Sequence, residues 1–340
     1  MQQSAASRRR FAVSAAISVI TNRVKTMVTE RARVRALHKP WGASDLRPWS
    51  RLHLDEGPIG ELLYERNTDS APPPSLLFKV LATTEPLSIQ VHPNDAFAQK
   101  MGLPSGKTEA WYVLSAKPGA KIAIGLKRSL SPLQLREVIE DGSIAGLLHW
   151  RHVAAGDTVL IAAGTIHTIG PGIVIAEIQQ ASDATFRMFD YGRSRALHVD
   201  QAVAAAEAGP AAVQPPPLRY SDARTVLIND PHLILEHIAL PRNSTWDFRP
   251  TRETWLFVVT GSARIGAFDI AIGECVFAAD ESFHINAGLS GLEALVAYPG
   301  PALASELLCD LAMKATEPSS LATVVAPFAP FDATPPDVRP

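Results

Sequence analysis

The sequence predicts a mainly β protein built from two copies of one antiparallel domain, the first carrying a small helical insertion. Three observations lead there. Past residue 75 the chain is a succession of short apolar runs cut by Gly and Pro: LLFKVLATT, LSIQVH, AWYVLSA, KIAIGL, DTVLIAAG and IVIAEIQQ. Runs of that length, several alternating or β-branched, read as strands of a small sandwich or barrel. The same blocks then recur in order. Thr108-Glu109-Ala110-Trp111 is echoed by Arg252-Glu253-Thr254-Trp255, and Gly156-Asp157-x-Val159 through His167 by Gly273-Glu274-x-Val276 through His284. Third, Glu109 and His167 are 58 positions apart while Glu253 and His284 are 31 apart. The missing length matches one segment of different periodicity in the first copy.

That segment is SLSPLQLREVIEDGSIAGLLHWRH. Ser131 precedes Pro132 at a first helical position. Leu133, Leu135, Val138 and Ile139 follow near helical spacing, so one or two helices are expected within an insert at about 127–152. The expected order is a first β domain over 31–205, a Pro/Ala-rich linker at 206–222, a second β domain over 223–315, and a Pro-rich tail at 316–340. Residues 1–30 are set apart. Ser7-Arg8-Arg9-Arg10-Phe11 and the apolar run behind it faintly resemble an export signal, but the run is short and Asn22, Arg23 and Lys25 interrupt it. The expectation is an over-extended start, with Met27 the first translated residue.

Composition narrows the function. Of 340 residues 46% are hydrophobic and 19% charged, an ordinary globular balance. Lys plus Arg total 32 against 34 Asp plus Glu, a net charge of −2, which argues against a nucleic-acid binder held by bulk electrostatics. Two cysteines, Cys275 and Cys309, make neither a disulfide framework nor a Cys-based zinc site, so a reducing, cytoplasmic compartment is expected.

Four residues of the first copy have the chemistry of a metal site. Gln90 and His92 lie two apart in a strand, so they share a face. Glu109 opens the next strand pair, and His167 sits in the Gly-bounded turn GTIHTIGPG. Two imidazoles, a carboxylate and an amide oxygen suit a divalent ion of the zinc, manganese, iron or nickel class. The second copy shows Glu253 and His284 but has Asp247-Phe248-Arg249 where the Gln-x-His pair belongs. It is expected to hold no metal.

LSIQVHPND, GKTEAWYVLSAKPGAKIAIGL and GTIHTIGPGIVIAEIQQASDATFRMFDYGR together resemble the type I mannose-6-phosphate isomerases, in the shorter bacterial form, over about residues 36–200. The resemblance implies a double cupin, two β jelly rolls with a helical insert. It implies reversible interconversion of mannose 6-phosphate and fructose 6-phosphate with one zinc ion per chain, and ligands at Gln90, His92, Glu109 and His167. It puts the catalytic arginine at Arg187.

Isomerisation through an enediolate develops negative charge on O1 and O2, which a Lewis acid and a fixed guanidinium stabilise. Glu177, at even spacing from Ile173 and Ile175, is expected to face inward as the general base, or as a support that orients a metal ligand or Arg187. Lys107, on the strand face of Glu109, is a candidate for the phosphate or an enediolate oxygen. Asp183 and Tyr191 flank Arg187 as candidate substrate contacts or supports. Trp111 and Trp255 are read as core or interface aromatics, and His149 and His152 as surface residues. The partner expected is a small phosphorylated sugar, without nucleic acid or membrane, in a monomer or weak dimer. Two alternatives are a non-catalytic cupin that binds sugar phosphates and an iron-dependent cupin oxygenase.

Overall fold

A computed structural model describes residues 28–50, 57–67 and 73–311. The expectations placed on residues 1–27 and on the tail beyond 311 lie outside these. Within them the chain forms two β rolls, and every pairing between strands is antiparallel.

The first roll is two facing sheets. One runs Arg33–Ala43, Ile59–Glu65, Leu76–Ala82, Ile173–Gln180, Glu109–Ala116 and Thr158–Ile161; the other runs Phe186–Phe189, Ile89–Val91, His167–Ile169, Lys121–Leu126 and Leu148–His152. Apolar side chains fill the roll in two clusters, one around Ile122, Val159 and Ile175, the other around Ile89, Ile166 and Met188. In the second roll the long strands Thr254–Ile265 and Phe283–Pro299 bend and serve both walls. The bend falls at a register irregularity beside Gly261, whose φ is +77°; a Cβ there would stand 2.1 Å from the carbonyl oxygen of Gly291.

The rolls share a third core. Phe78, Tyr64, Leu62 and Trp49 meet Trp255, Phe257, Phe277 and Leu295, with Phe78 stacked on Phe257 at 5.1 Å. Burying each such side chain contributes about 1.5–3 kcal/mol, so the outer face of the six-stranded sheet is as much core as the inside of either roll.

The insert is more compact than expected. Ser131 caps the helix Pro132–Glu140 through a capping box with Gln134, as Ser-Pro at a helix start favours. A short helix, Ile144–Leu147, follows. Residues 148–152 are a strand, not insert: Leu148–His152 pairs with Lys121–Leu126. Leu133, placed on the apolar stripe by spacing, is exposed, and Leu135 and Ile139 carry the buried face. The insert replaces a hairpin turn, with 21 residues (127–147) in the first roll where the second has two (266–267).

Two further boundaries differ. Val28–Arg31, whose first three residues belong to the segment set apart, is a strand paired with Cys275–Ala279 of the second roll. The expected linker at 206–222 is not a free connection: up to Gln214 it lies against the first roll, where Glu207 bridges Thr165, Pro210 bridges Gly125 and the Gln214 amide bonds both the N–H and the C=O of Leu160, and Leu218–Arg219 is already a strand of the second roll, paired with Arg224–Asn229.

Candidate metal centre

The two sheets of the first roll bring the predicted residues together, Tyr191 excepted. On the five-stranded sheet Arg187 is opposite Gln90 and Gln90 opposite His167, a cross-strand row on three neighbouring strands. On the facing sheet Glu177 pairs with Lys79 on one side and Trp111 on the other, and Glu109 opens the strand beside it. His92 follows the strand Ile89–Val91, its carbonyl oxygen accepting from the Gly164 N–H of the turn that leads to His167.

His92, Glu109 and His167 are fully buried and present donor atoms that all lie within 4.8 Å of one another. Nε2 of His92 is 3.4 Å from Oε2 of Glu109, and Nε2 of His167 is 3.4 Å from Oε1. Each imidazole donates its Nδ1–H to a backbone carbonyl, His92 to Ala184 and His167 to Thr165, both at 2.9 Å. The remaining nitrogen of each ring therefore carries a lone pair towards the carboxylate. Gln90 extends its amide to 3.3 Å from His167 Nε2 while its Oε1 accepts from Ser88.

Converging acceptors need a cation. Oε1 of Glu109 is buried with no hydrogen-bond partner. Oε2 accepts from the Lys107 ammonium at 2.5 Å, and the same ammonium lies 3.1 Å from His92 Nε2. Burial opposes the Glu109 charge, but Lys107, His92 and His167 outweigh it and hold the carboxyl well below the usual range. Burial also lowers both imidazoles, with Lys107 adding to the effect at His92; His167 falls to about 3, with His92 adding to the effect. Neutral imidazoles and an ionised carboxylate are the states in which these groups bind a divalent metal. The residues present fit one.

Glu177 is the opposite case. Burial first, and the Glu109 charge second, push its carboxyl up to about 7 against the pull of Lys107 and Lys79. Trp111 donates its indole N–H to Glu177 Oε1 at 3.2 Å. The tryptophan read as a core aromatic thus also orients an acid. Arg187 donates to the Ala196 carbonyl and has a buried Nε without a partner.

Gln90, Lys107, Trp111, Glu177 and Arg187 line a cavity of about 370 Å3, together with residues the sequence did not single out: Arg35, Lys39, Glu61, Lys79, Ser88 and Arg195. Lys79 pairs with Glu61 at 3.7 Å and Asp183 at 3.3 Å. Asp183 stands at the cavity. Tyr191 does not. Its backbone is left-handed, with φ of 52°, at the turn after Asp190, and its ring packs edge-on against Phe189 at 5.0 Å, away from the cavity lining. A local signal for Lys79 existed, since a lysine at an apolar strand position is rare. Arg35, Glu61 and Arg195 carried none.

The second roll has the same frame with different occupants. Val258 donates to the Glu274 carbonyl as Val113 does to that of Asp157, and Gly273 donates to Val258 as Gly156 does to Val113. This register matches Glu109 with Thr254, not Glu253, one residue away from the match suggested by sequence. The slip turns Glu253 to the other face. There its carboxylate accepts from the backbone N–H of Ser75 and Leu76 and from the indole of Trp255. Asp247 stands opposite His284 and Cys309, as Gln90 does opposite His167 and Arg187. Arg249 takes the place of His92 and pairs with Asp247 at 2.5 Å. A guanidinium thus sits where the first roll gathers donors.

Comparison with known proteins agrees with this architecture. The phosphomannose isomerase type I catalytic-domain family model matches residues 59–127. A mannose-6-phosphate isomerase of Streptococcus mutans is 42% identical over 164 residues, 46% of this chain and 52% of that protein. One from Bacillus subtilis is 38% identical over 135 residues, 38% of this chain and 42% of that protein. The matched stretch thus spans about half the length of these relatives. Among solved structures, mannose 6-phosphate isomerase from Bacillus subtilis superposes with a TM-score of 0.68 at 22% identity, covering 79% of this chain and 98% of that one. A variant of phosphomannose isomerase from Salmonella typhimurium gives 0.64 at 16%, covering 80% and 100%. At these identities the superpositions establish the fold, a double cupin.

Proposed function

We propose that the chain is a metal-dependent aldose–ketose isomerase that interconverts mannose 6-phosphate and fructose 6-phosphate. One observation carries this reading: a single cavity is lined by a carboxyl poised near neutrality and a guanidinium with an unpaired N–H, and three buried metal donors stand directly behind its Gln90 and Lys107. Its volume is within the roughly 300–1,000 Å3 of small-molecule pockets. Lys39, Lys79, Lys107, Arg35, Arg187 and Arg195 in its wall supply charge for a phosphate dianion.

His92, Glu109 and His167 would hold the ion, with Gln90 as a fourth donor, and zinc is the metal proposed. When bound, the ion polarises the sugar's carbonyl and hydroxyl oxygens as a Lewis acid. Glu177 carries the proton. Its carboxylate takes the hydrogen from C2 of the aldose, the C2 electrons pass to the carbonyl as an enediolate, and the hydroxyl proton on O2 moves to O1. The resulting carboxylic acid returns its proton to C1, leaving the carbonyl at C2. A base with a pKa of about 7 suits both directions near neutrality. Arg187 cannot lose its proton and serves the charge on O1 and O2. Lys107, locked against Glu109 and His92, faces the same oxygens.

The test is a coupled assay for fructose 6-phosphate formed from mannose 6-phosphate, before and after chelation and after re-addition of single metals. Turnover restored by zinc supports the reading. Binding without turnover would point to a sugar-phosphate-binding module, and oxygen consumption with iron to an oxygenase.

A further inference from the structure

Lys107 lies in, and Glu109 directly follows, a backbone segment with no regular structure, whose three N–H groups at 106–108 are all bonded. The Gly106 N–H donates to Oδ1 of Asp95 at 2.7 Å, the Lys107 N–H to the Pro93 carbonyl at 3.0 Å, and the Thr108 N–H to Oε1 of Gln180 at 2.9 Å. The clamp is closed on itself: Gln180 donates its Nε2 to the same Oδ1 of Asp95 at 3.0 Å. Gly106 lies so close that a Cβ there would stand 2.6 Å from the Pro93 carbonyl oxygen and 2.7 Å from the Asp95 nitrogen. Pro93 and Asp95 follow His92, so one carboxylate ties the segment bearing one metal donor to the segment bearing another. Three consecutive N–H groups all satisfied outside any helix or strand leave Lys107 and Glu109 little room to move.

The second roll reaches this clamp. His232 faces Oδ2 of Asp95 with Nε2 at 3.2 Å and Oδ1 of Asp230 with Nδ1 at 2.8 Å. We propose that Asp95 is a positioning residue, which with Gln180 sets the placement of Lys107 and Glu109, and that the metal-poor second roll supports the site of the first through His232. The inference rests on the functional reading above only for its kinetic arm.

Asp95→Ala, Asp95→Asn and His232→Ala test it. In the metal-free protein, amide exchange at Gly106 and Thr108 should quicken about tenfold or more in Asp95→Ala, the size expected on losing a bond to a charged acceptor. Zinc affinity, measured by competition with a chromophoric chelator, should fall roughly 10–100-fold, as for other groups that orient metal ligands. Asp95→Asn keeps an oxygen for the Gly106 N–H and should restore most of both. His232→Ala should cost only about twofold, because its pair with Asp95 is 35–44% exposed, and nothing further in an Asp95→Ala background. For substrate, kcat should fall more than KM rises in Asp95→Ala. Should that variant not fold, Gln180→Met removes the bridge from the other side and is read in the same way.

Unchanged exchange and zinc affinity, with only a lower denaturation midpoint, would overturn the proposal, as would an asparagine variant no better than alanine. An effect of His232→Ala that persists without Asp95 would refute the link to the second roll. Failure of the unaltered protein to isomerise sugar phosphates would overturn the functional reading alone, since exchange and zinc binding need no substrate.

Discussion

Glu177→Gln should make the metal-free protein more stable at pH 8 while it abolishes turnover. The carboxyl is fully buried, accepts one bond from Trp111, and is raised from its ordinary value to about 7. The folded state therefore binds this proton more tightly than the unfolded chain. Below the unfolded value, near 4.5, the group is protonated in both states and costs nothing; stability is lost as pH rises through the window from about 4.5 to about 7, and the loss is complete above it. A difference of about 2.5 units corresponds to on the order of 3 kcal/mol. Glutamine has nearly the same shape, keeps an oxygen for the indole N–H, and has no charge to desolvate. Urea denaturation of both proteins, stripped of metal, at pH 4.5 and pH 8 should give similar stabilities at the lower pH and a gain of about 2–3 kcal/mol for the variant at the higher one. Turnover of the reconstituted variant should fall roughly 100- to 10,000-fold, the usual worth of a positioned acid–base group. A variant less stable by the same amount at both pH values would show that the carboxylate is compensated in place, and the argument for a neutral-pH base would fail with it.

Three further outcomes are expected. His92→Ala and His167→Ala should each abolish stoichiometric metal retention and turnover with circular dichroism unchanged, because apolar clusters hold the roll; a His92→Ala protein that keeps zinc refutes the ligand set. His284→Ala and Glu253→Ala should leave metal content at one per chain, measured by elemental analysis. Glu253→Ala should nevertheless destabilise by about 2–4 kcal/mol, since it leaves the Ser75, Leu76 and Trp255 N–H groups without their acceptor. Arg187→Lys should lower kcat about a hundredfold with a smaller change in KM and no change in metal content, and a rise in KM alone would show that the guanidinium grips the substrate equally in all states.

Much of this was legible in the chain because it is local. The two-residue period of a strand puts Gln90 and His92 on one face, alternation turns Glu177 inward, and Ser131-Pro132 starts a helix whatever surrounds it. The order of blocks revealed the duplication. What the sequence could not decide were matters of register and of the opposite wall. Glu253 and Glu109 occupy similar words in the sequence, yet a slip of one residue sends one carboxylate to the interface between rolls and the other against Lys107, His92 and His167. Tyr191 adjoins Arg187 in the chain and still turns away, because a left-handed residue reverses the strand there. Arg35, Glu61, Lys79 and Arg195 come to one cavity from separate strands and a loop, and Asp95 meets Gln180 and His232 across 85 and 137 positions. Local spacing determines which way a side chain points from its own strand. Only the pairing of strands distant in the chain decides what it points at.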